Sequence, residues 1–450
     1  VKERLGMSRT DFTVGYALAA GYGYVKGSGA AAHHLGNLFE RASAGLQVTP
    51  ETAGPLPSEG ARPWMLHPPG YPFLVSIAHR ILGMPADIPM MLLGLLLDTV
   101  AAGLVWWIAT RLLGSAVGLA AGLIYAAYPP YAYWSSVSKS VDGILAVFIV
   151  GCLACVVQAA GERGWRAWAW FVGSGLVLGL GCYMRPDYML MPAILALGVY
   201  ARNRRLREAI LAAVVIQATV FATLLPWALR NHAIAGRWIF SSTSVGGTLI
   251  NSLGEAPNPW GYGPFDEDRH KEAQALGWVD AWSPEADAHF RALFRKNVIE
   301  QPRAYAVLLA RRLPMALGTP YSFGYENPYK TQTFGQAQTR GQTYIDVLSE
   351  KPWYVLAAYW DLVLMAFLSL CGTGCAAIMI WLERRRMDVL LLALGPHLYS
   401  LGTHFLTFLW PRYILPSVFC WLIAMAYVAV RCRDRLHFRA AARRAPTQRA

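Results

Sequence analysis

Charge is scarce in this sequence, and its two long polar segments hold no cysteine. Only 15% of the residues are charged and 55% are hydrophobic, with apolar runs recurring from residue 88 to residue 430. A backbone in lipid must satisfy its own hydrogen bonds, as long helices do. We therefore expect an all-α polytopic membrane protein. All seven cysteines fall in the apolar runs or the C-terminal tail, so no disulfide framework stabilises the polar segments.

Motifs of soluble nucleotide or metal chemistry are also missing. The chain has no glycine-rich nucleotide loop, no HExxH pair and no internal repeat. Cys152 and Cys155 have the spacing of metal ligands, but they lie inside an apolar run without partners, so packing explains them better. We expect no metal and no other cofactor.

Windows of about 19 residues divide the apolar part into nine predicted spans. The basic turns at 202–208, 383–388 and 431–449 face the cytoplasm under the positive-inside rule, whereas segment 231–351 carries 12 Lys/Arg against 12 Asp/Glu and lies outside. The net charge of +13 then reflects orientation and contact with anionic membrane lipids, not nucleic-acid binding. We expect a multi-pass protein of the cell inner membrane. The nine spans are 88–110, 116–134, 142–160, 167–184, 187–201, 208–229, 353–381, 387–406 and 412–430.

Nine spans that end in the cytoplasm require residues 1–86 to begin outside. The chain starts with Val1, and no apolar run precedes this segment. We therefore expect a membrane helix before it, a native short form being the alternative. The expected organisation is an outer loop with juxtamembrane helices (1–87), a six-span bundle (88–230), an extracytoplasmic segment (231–352), a three-span bundle (353–430) and a basic cytoplasmic tail (431–450).

Residues 64–83, WMLHPPGYPFLVSIAHRILG, raise a separate question. The apolar run is about fourteen residues long, whereas a span takes about 20, yet it is too apolar for a solvated loop. We predict a short helix over 69–82 that lies on the membrane surface, with His67 at its tip. In the later polar segment, Ser283 and Pro284 predict a helix start and Pro302 its end, followed by a surface helix over 303–317.

Polar side chains gather at the outer ends of the predicted spans. An acidic base candidate, several cations and many aromatics on one membrane face suit an anionic, lipid-linked sugar. Each cation taken alone is explained better as an interfacial anchor than as a ligand. The anchor explanation fits Asp142 less well, because placing a carboxylate at membrane depth costs free energy and such a residue is usually paired or functional. The candidates are Asp11, His67, Lys139, Asp142, Arg185, Asp187, Arg230 and Arg412.

The order of the sequence blocks resembles that of a known family. Segments LAAGYGYV, HPPGYPFL, YPPYAYWSSVSKSVD, RPDY, LPWALRNHAIAGRWIFSSTSVGG and PRYILP follow one another as in the GT-C membrane glycosyltransferases. The branch they resemble is the bacterial relatives of dolichyl-phosphate-mannose protein mannosyltransferase, which include the lipid A aminoarabinose transferases. The resemblance covers roughly residues 11 to 425. It implies a GT-C-like bundle with juxtamembrane helices in the first outer loop and a larger outer segment between late spans.

The resemblance also implies a site. It maps the catalytic aspartate of the family onto Asp11 and the second outer-face carboxylate, the other expected catalytic residue, onto Asp142. His67 stands where relatives often carry a lysine that reaches the sugar phosphate. The expected substrate contacts are His67, Lys139, Arg185, Asp187, Arg230, Arg412, Tyr16 and Tyr71.

The implied activity is inverting hexosyl or pentosyl transfer from a polyprenyl-phosphate-linked sugar to an extracytoplasmic glycan, lipid or protein acceptor. Asp11 would take the proton of the acceptor hydroxyl, and the cations would stabilise the leaving phosphate. A multi-span transporter is one alternative, although it predicts inverted repeats and polar sites at the membrane midplane. A catalytically inactive, lipid-binding homologue is the other, because Asp11 is followed by Phe12 and not by the Glu that relatives often carry.

Overall fold

The computed structural model describes residues 9–83, 85–132, 134–135, 141–256, 258–278, 280–318, 352–409 and 411–444, and the structural statements below concern these residues. Most of them are helical. Two three-residue strands pair in antiparallel fashion, with Lys26 opposite Arg62.

The first polar segment, residues 9–86, carries four helices and the strand pair. Its longest packing interface joins the first and fourth helices, where Gly15 lies so close to Val75 that a Cβ atom would come within 2.5 Å of the Val75 Cγ1 atom. Arg80 strengthens this interface by donating to the carbonyls of Leu18 and Ala19, which lie at the C-terminus of the first helix. The elements are α1 (Arg9–Ala19), β1 (Val25–Gly27), α2 (Gly29–Ser43), α3 (Pro50–Ala53), β2 (Ala61–Pro63) and α4 (Gly70–Leu82).

The first half of the bundle is built around one helix that is buried on nearly every side. This helix, α8, carries Asp142 as its only ionisable carboxylate and is otherwise apolar, as expected for a helix at the centre of a membrane bundle. The next helix, α9, packs closely on α11 because Gly175 and Gly179 leave room for the other backbone. The helices are α5 (Asp87–Leu113), α6 (Ser115–Ala126), α7 (Pro129–Ala132), α8 (Val141–Ala159), α9 (Trp165–Met184), α10 (Pro192–Asn203) and α11 (Leu206–Ala235).

The second polar segment, residues 236–318, forms four more helices: α12 (Val245–Leu253), α13 (Asp266–Ala275), α14 (Pro284–Glu300) and α15 (Pro302–Gly318). The predicted start of α14 is confirmed, since the Ser283 side chain accepts a hydrogen bond from the Ala286 amide at 3.1 Å. The rest of the bundle comprises α16 (Pro352–Leu382), α17 (Met387–Leu406), α18 (Pro411–Ile414) and α19 (Phe419–Arg444).

A buried ion pair fastens the second polar segment to the end of α17. Arg312 Nε lies 2.6 Å from Glu255 Oε2, and Arg312 also donates to the Phe405 carbonyl at 2.8 Å. Glu255 in turn accepts from the Leu409 amide at 2.9 Å. Both side chains are almost fully buried, so each charge depends on the other, and loss of one partner would leave an uncompensated buried charge.

Six described helical stretches are long and apolar enough to cross a membrane. The fold class is confirmed: the chain is an all-α, multi-pass membrane protein. Spans predicted at 116–134 and 187–201 coincide with the 12-residue helices α6 and α10, which reach only about 18 Å. The span predicted at 353–381 coincides with α16. The count of nine spans therefore stays a prediction.

The short helix predicted before the bundle is confirmed as α4, which has 13 residues. Phe73, Ile77 and Ile81 lie on its exposed face, consistent with a helix at a membrane surface. Helix α1, which carries Asp11, is also short. It ends at Ala19, because Gly21 and Gly23 adopt positive φ angles of 80° and 79° that turn the chain toward β1.

Candidate functional site

The structure brings together a buried carboxylate and an accessible imidazole. Asp11 lies in the first turn of α1 and is 4% exposed, whereas the side chain of His67 is 45% exposed. His67 Nδ1 lies 3.8 Å from Asp11 Oδ1. The imidazole is thus accessible from outside the protein, and the carboxylate beside it is buried.

A second cluster centres on Arg185, which follows α9. Its Nη1 atom contacts Asp142, its Nε atom lies 2.6 Å from Asp187 Oδ2, and its Cζ atom lies 3.6 Å from the centre of the Tyr413 ring. His404 completes the cluster, with Nε2 3.7 Å from Asp187 Oδ2. Two carboxylates share one guanidinium here, so Arg185 is held firmly in orientation.

The two clusters lie at the same end of the bundle. Phe12 and Tyr71, which flank Asp11 and His67 in the sequence, belong to an apolar cluster that also contains Ile144 of α8 and reaches Met184 of α9. Ile144 is two residues from Asp142, and Met184 precedes Arg185. The N-terminus of α4 also approaches α9 closely, since a Cβ atom on Gly70 would lie 2.6 Å from the Tyr183 carbonyl oxygen.

This end is opposite to the basic turns. Asp142 begins α8, Arg185 follows α9, and Arg230 lies in the last two turns of α11, whereas the basic stretches 202–205 and 384–386 lie at the other ends of the same helices or of their neighbours. We refer to the end that carries Asp11, His67 and Arg185 as the site end.

Tyr16 and Tyr71 are buried and pack within the first polar segment. The Tyr16 ring contacts those of Phe12 and His79, and its hydroxyl accepts from the Ala86 amide at 3.2 Å. Burial raises the pKa of Tyr16 to about 12, and burial also raises the pKa of Tyr71. Both hydroxyls therefore stay protonated, and the positions of the two rings indicate packing beneath Asp11.

The Arg230 guanidinium makes hydrogen bonds to backbone carbonyls of the first polar segment. Its two terminal nitrogens donate to the carbonyls of Trp64 at 3.1 Å and Tyr24 at 3.0 Å, and its guanidinium lies against the Tyr24 and Trp227 rings. Lys139 lies outside the described residues, and so does the side chain of Arg412.

Sequence reasoning missed three residues of the site end: Tyr24, His404 and Tyr413. His404 lies inside an apolar span, and Tyr413 resembles an ordinary interfacial aromatic. The available signal was the histidine itself, because a polar side chain within a membrane span is usually paired or functional.

The second polar segment also reaches the first one near the site. Lys26 Nζ lies 3.4 Å from Asp280 Oδ2 and 4.6 Å from the centre of the Trp64 ring. The Trp64 ring is parallel to the His67 imidazole, with centroids 6.3 Å apart. The Lys26–Asp280 ion pair therefore connects the two polar segments one ring away from His67.

Residues 66–227 match the family model of dolichyl-phosphate-mannose-protein mannosyltransferase. The match includes His67, Asp142, Arg185 and Asp187. The resemblance drawn from the sequence blocks is thereby confirmed. No protein of curated function matches the chain in sequence.

Two solved structures are similar to the chain at low sequence identity. The archaeal oligosaccharyltransferase AglB from Archaeoglobus fulgidus, in complex with an inhibitory peptide and a dolichol-phosphate, has 15% identity and a TM-score of 0.48 over 86% of this chain and 45% of that one. ArnT from Cupriavidus metallidurans in the apo state has 17% identity and a TM-score of 0.31, covering 81% of this chain and 68% of that one. The chain thus spans less than half the length of the archaeal enzyme, and likeness at this level supports no inference about residues or substrates.

Proposed function

We propose that this protein is an inverting glycosyltransferase that moves a sugar from a polyprenyl-phosphate donor to a glycan, lipid or protein acceptor. The observation that carries the proposal is the approach of His67 to Asp11 at the site end, within a chain whose residues 66–227 match the mannosyltransferase family model. A buried base beside an accessible cation is the pair of groups that this transfer needs.

Asp11 acts as the general base in the proposed reaction. It removes the proton of the acceptor hydroxyl while that oxygen attacks the anomeric carbon of the sugar. The new glycosidic bond forms as the bond between the anomeric carbon and the phosphate oxygen breaks, and its electron pair leaves with polyprenyl phosphate. A single displacement of this kind inverts the anomeric configuration.

Cations at the site end stabilise the leaving phosphate. His67 in its protonated form donates to the phosphate, because its ring is accessible and lies beside the proposed base. Arg185 is oriented by Asp142 and Asp187, so the second carboxylate of the site serves to position a guanidinium rather than to move a proton. Lys139 and Arg412 stay candidates for the same phosphate.

The proposed location follows from the charges. Since the basic turns lie opposite to the site end, the positive-inside rule places the site on the extracytoplasmic face of the cell inner membrane. The isoprenoid chain of the donor then stays in the bilayer, and the sugar and phosphate reach Asp11 from the membrane surface, past the exposed apolar face of α4.

Replacement of Asp11 by Asn tests the base. The amide keeps the size of the carboxylate but cannot take the proton, so turnover should fall by at least about 10²-fold while affinity for polyprenyl phosphate changes little. The measurement is release of polyprenyl phosphate from radiolabelled polyprenyl-phosphate mannose, together with equilibrium binding of polyprenyl phosphate.

Asp142→Asn is the matched variant, because it changes a second buried carboxylate at the same end. It should weaken binding by loosening Arg185, without the selective loss of turnover. Wild-type turnover in Asp11→Asn would remove Asp11 as the base. A wild-type chain that binds polyprenyl phosphate but transfers nothing from any lipid-linked sugar would support the inactive, lipid-binding alternative.

A further inference from the structure

The turn that carries His67 lacks two backbone donors. His67 is followed by Pro68 and Pro69, and proline has no N–H to donate. The donor comes instead from a distant residue. The Tyr24 hydroxyl lies 3.0 Å from the His67 carbonyl oxygen and 3.3 Å from that of Pro68, so one O–H group is shared between the carbonyls of two consecutive peptide units.

Tyr24 is itself tightly fixed. Its ring is 7% exposed and packs edge-on against Trp227, with centroids 5.4 Å apart. Its carbonyl accepts from the Trp64 amide at 2.9 Å and from Arg230 at 3.0 Å. Burial raises the pKa of Tyr24 well above its usual range, and the nearby Asp11 charge adds to this. The hydroxyl therefore remains a donor throughout the working range of pH.

Arg230 also acts on the imidazole ring of His67, through Trp64. Arg230 donates to the Trp64 carbonyl at 3.1 Å, and the Trp64 ring lies parallel to the imidazole with an interplanar angle of 9°. Tyr24 thus hydrogen-bonds to the backbone of His67, and the Trp64 ring stacks on the His67 imidazole. Arg230 donates hydrogen bonds to the backbone carbonyls of both Tyr24 and Trp64.

We propose that Tyr24 is a positioning residue for His67, with Arg230 as the residue that supports it. This inference rests on the proposed function, because the task assigned to His67 is contact with the donor phosphate. Arg230, at the outer end of α11, uses its charge to fix the turn and does not bind the substrate. The distance of 3.8 Å between His67 and Asp11 depends on this arrangement.

A double-mutant cycle on the whole protein in lipid nanodiscs tests the inference, with polyprenyl phosphate as the probe. Loss of the charged donor in His67→Ala should weaken its affinity about 10-fold or more. Tyr24→Phe keeps the ring and removes the donor, so affinity should fall about 3- to 10-fold. If Tyr24 acts through His67, the double variant should match His67→Ala within about twofold, because neighbours that act as one unit are not additive.

Tyr183→Phe is the control, since the Tyr183 hydroxyl also donates to a backbone carbonyl, that of Thr223 at 2.8 Å, but does not contact His67. It should leave affinity unchanged. Arg230→Lys, which keeps the charge but not the two-armed geometry, should repeat the Tyr24→Phe pattern. Full additivity of Tyr24→Phe and His67→Ala, or unchanged affinity in Tyr24→Phe, would overturn the inference and leave the proposed function standing. Unchanged affinity in His67→Ala would instead remove the phosphate contact on which both depend.

Discussion

At the residue scale, the exposure of His67 and the burial of Asp11 suit the two different roles proposed for these residues. A cation that meets a phosphate must be reachable from the membrane surface, whereas a base benefits from a site that excludes water, where electrostatic interactions are stronger. The stacking of His67 on Trp64 keeps the imidazole in one plane without burying it.

The charge of His67 can be tested by exchange for another cation. His67→Ala should lower turnover by on the order of 10²-fold, since removal of one donor to a developing oxyanion costs about that much. His67→Lys should recover much of the loss, because lysine supplies a positive charge in the same direction. The measurement is release of polyprenyl phosphate from radiolabelled polyprenyl-phosphate mannose. Equal turnover in the Ala and Lys variants would show that charge at this position is irrelevant.

Sequence motifs drew attention to Asp11, His67, Asp142 and Arg185, because each stands in a block with polar residues where an apolar run begins or ends. The structure brings these four residues to one end of the bundle, and their roles stay predictions. Sequence motifs were insufficient for His404, whose partner Asp187 lies on a distant part of the chain, so no local pattern joins them. Arg230 illustrates the opposite case. An arginine at the end of a span resembles a ligand in sequence, and only the folded chain brings it the carbonyls of Tyr24 and Trp64, which flank the strand pair.

At the element scale, α1 and α4 depend on a close approach at Gly15. A methyl group there would overlap Val75, so Gly15→Ala should destabilise the first polar segment by about 1–3 kcal/mol and lower the Tm in detergent. Gly36→Ala is the matched control on α2, where a Cβ atom would meet no atom within 4 Å. It should be neutral or stabilise by up to about 1 kcal/mol through helix propensity. A Tm in Gly15→Ala at or above that of Gly36→Ala would show that the α1–α4 interface tolerates the methyl group.

Elements with a strong local signal were predictable, and those without one were not. The Ser283–Pro284 start of α14 satisfies a backbone amide through its own side chain, which any sequence with this cap can do. The strand pair β1–β2 has three residues on each side, too few for a period of two to appear, and its pairing depends on the turn at Gly21 and Gly23. Such a pairing joins segments that are distant in sequence, so no local sequence pattern predicts it.

At the scale of the whole molecule, the direction of the bundle can be measured by labelling single cysteines. We expect a membrane-impermeant maleimide to label Ser58→Cys and Gln274→Cys in intact cells, in chains whose native cysteines are replaced, because both exposed positions lie in the polar segments next to the site end. A chain that retains only Cys432, which is exposed beside Arg431 and Arg433, should be labelled only after permeabilisation.

Labelling of Cys432 in intact cells, together with protection of the two introduced cysteines, would invert the proposed orientation. The site end would then face the cytoplasm, and the proposed extracytoplasmic acceptor would be excluded. The site geometry would be unaffected.

The Lys26–Asp280 ion pair makes the contact between the polar segments sensitive to ionic strength. Both side chains are partly exposed, and the Debye length falls from about 30 Å at 0.01 M salt to about 3 Å at 1 M, so this contact is screened while the buried Arg312–Glu255 pair is not. In concentrated salt this ion pair weakens, whereas the hydrogen bond from the Thr243 amide to the Met65 carbonyl and the packing of Leu66 against the cluster that contains Trp282 do not depend on charge. The second polar segment therefore stays against the residues that precede His67 at high salt, and only the electrostatic part of that contact is lost.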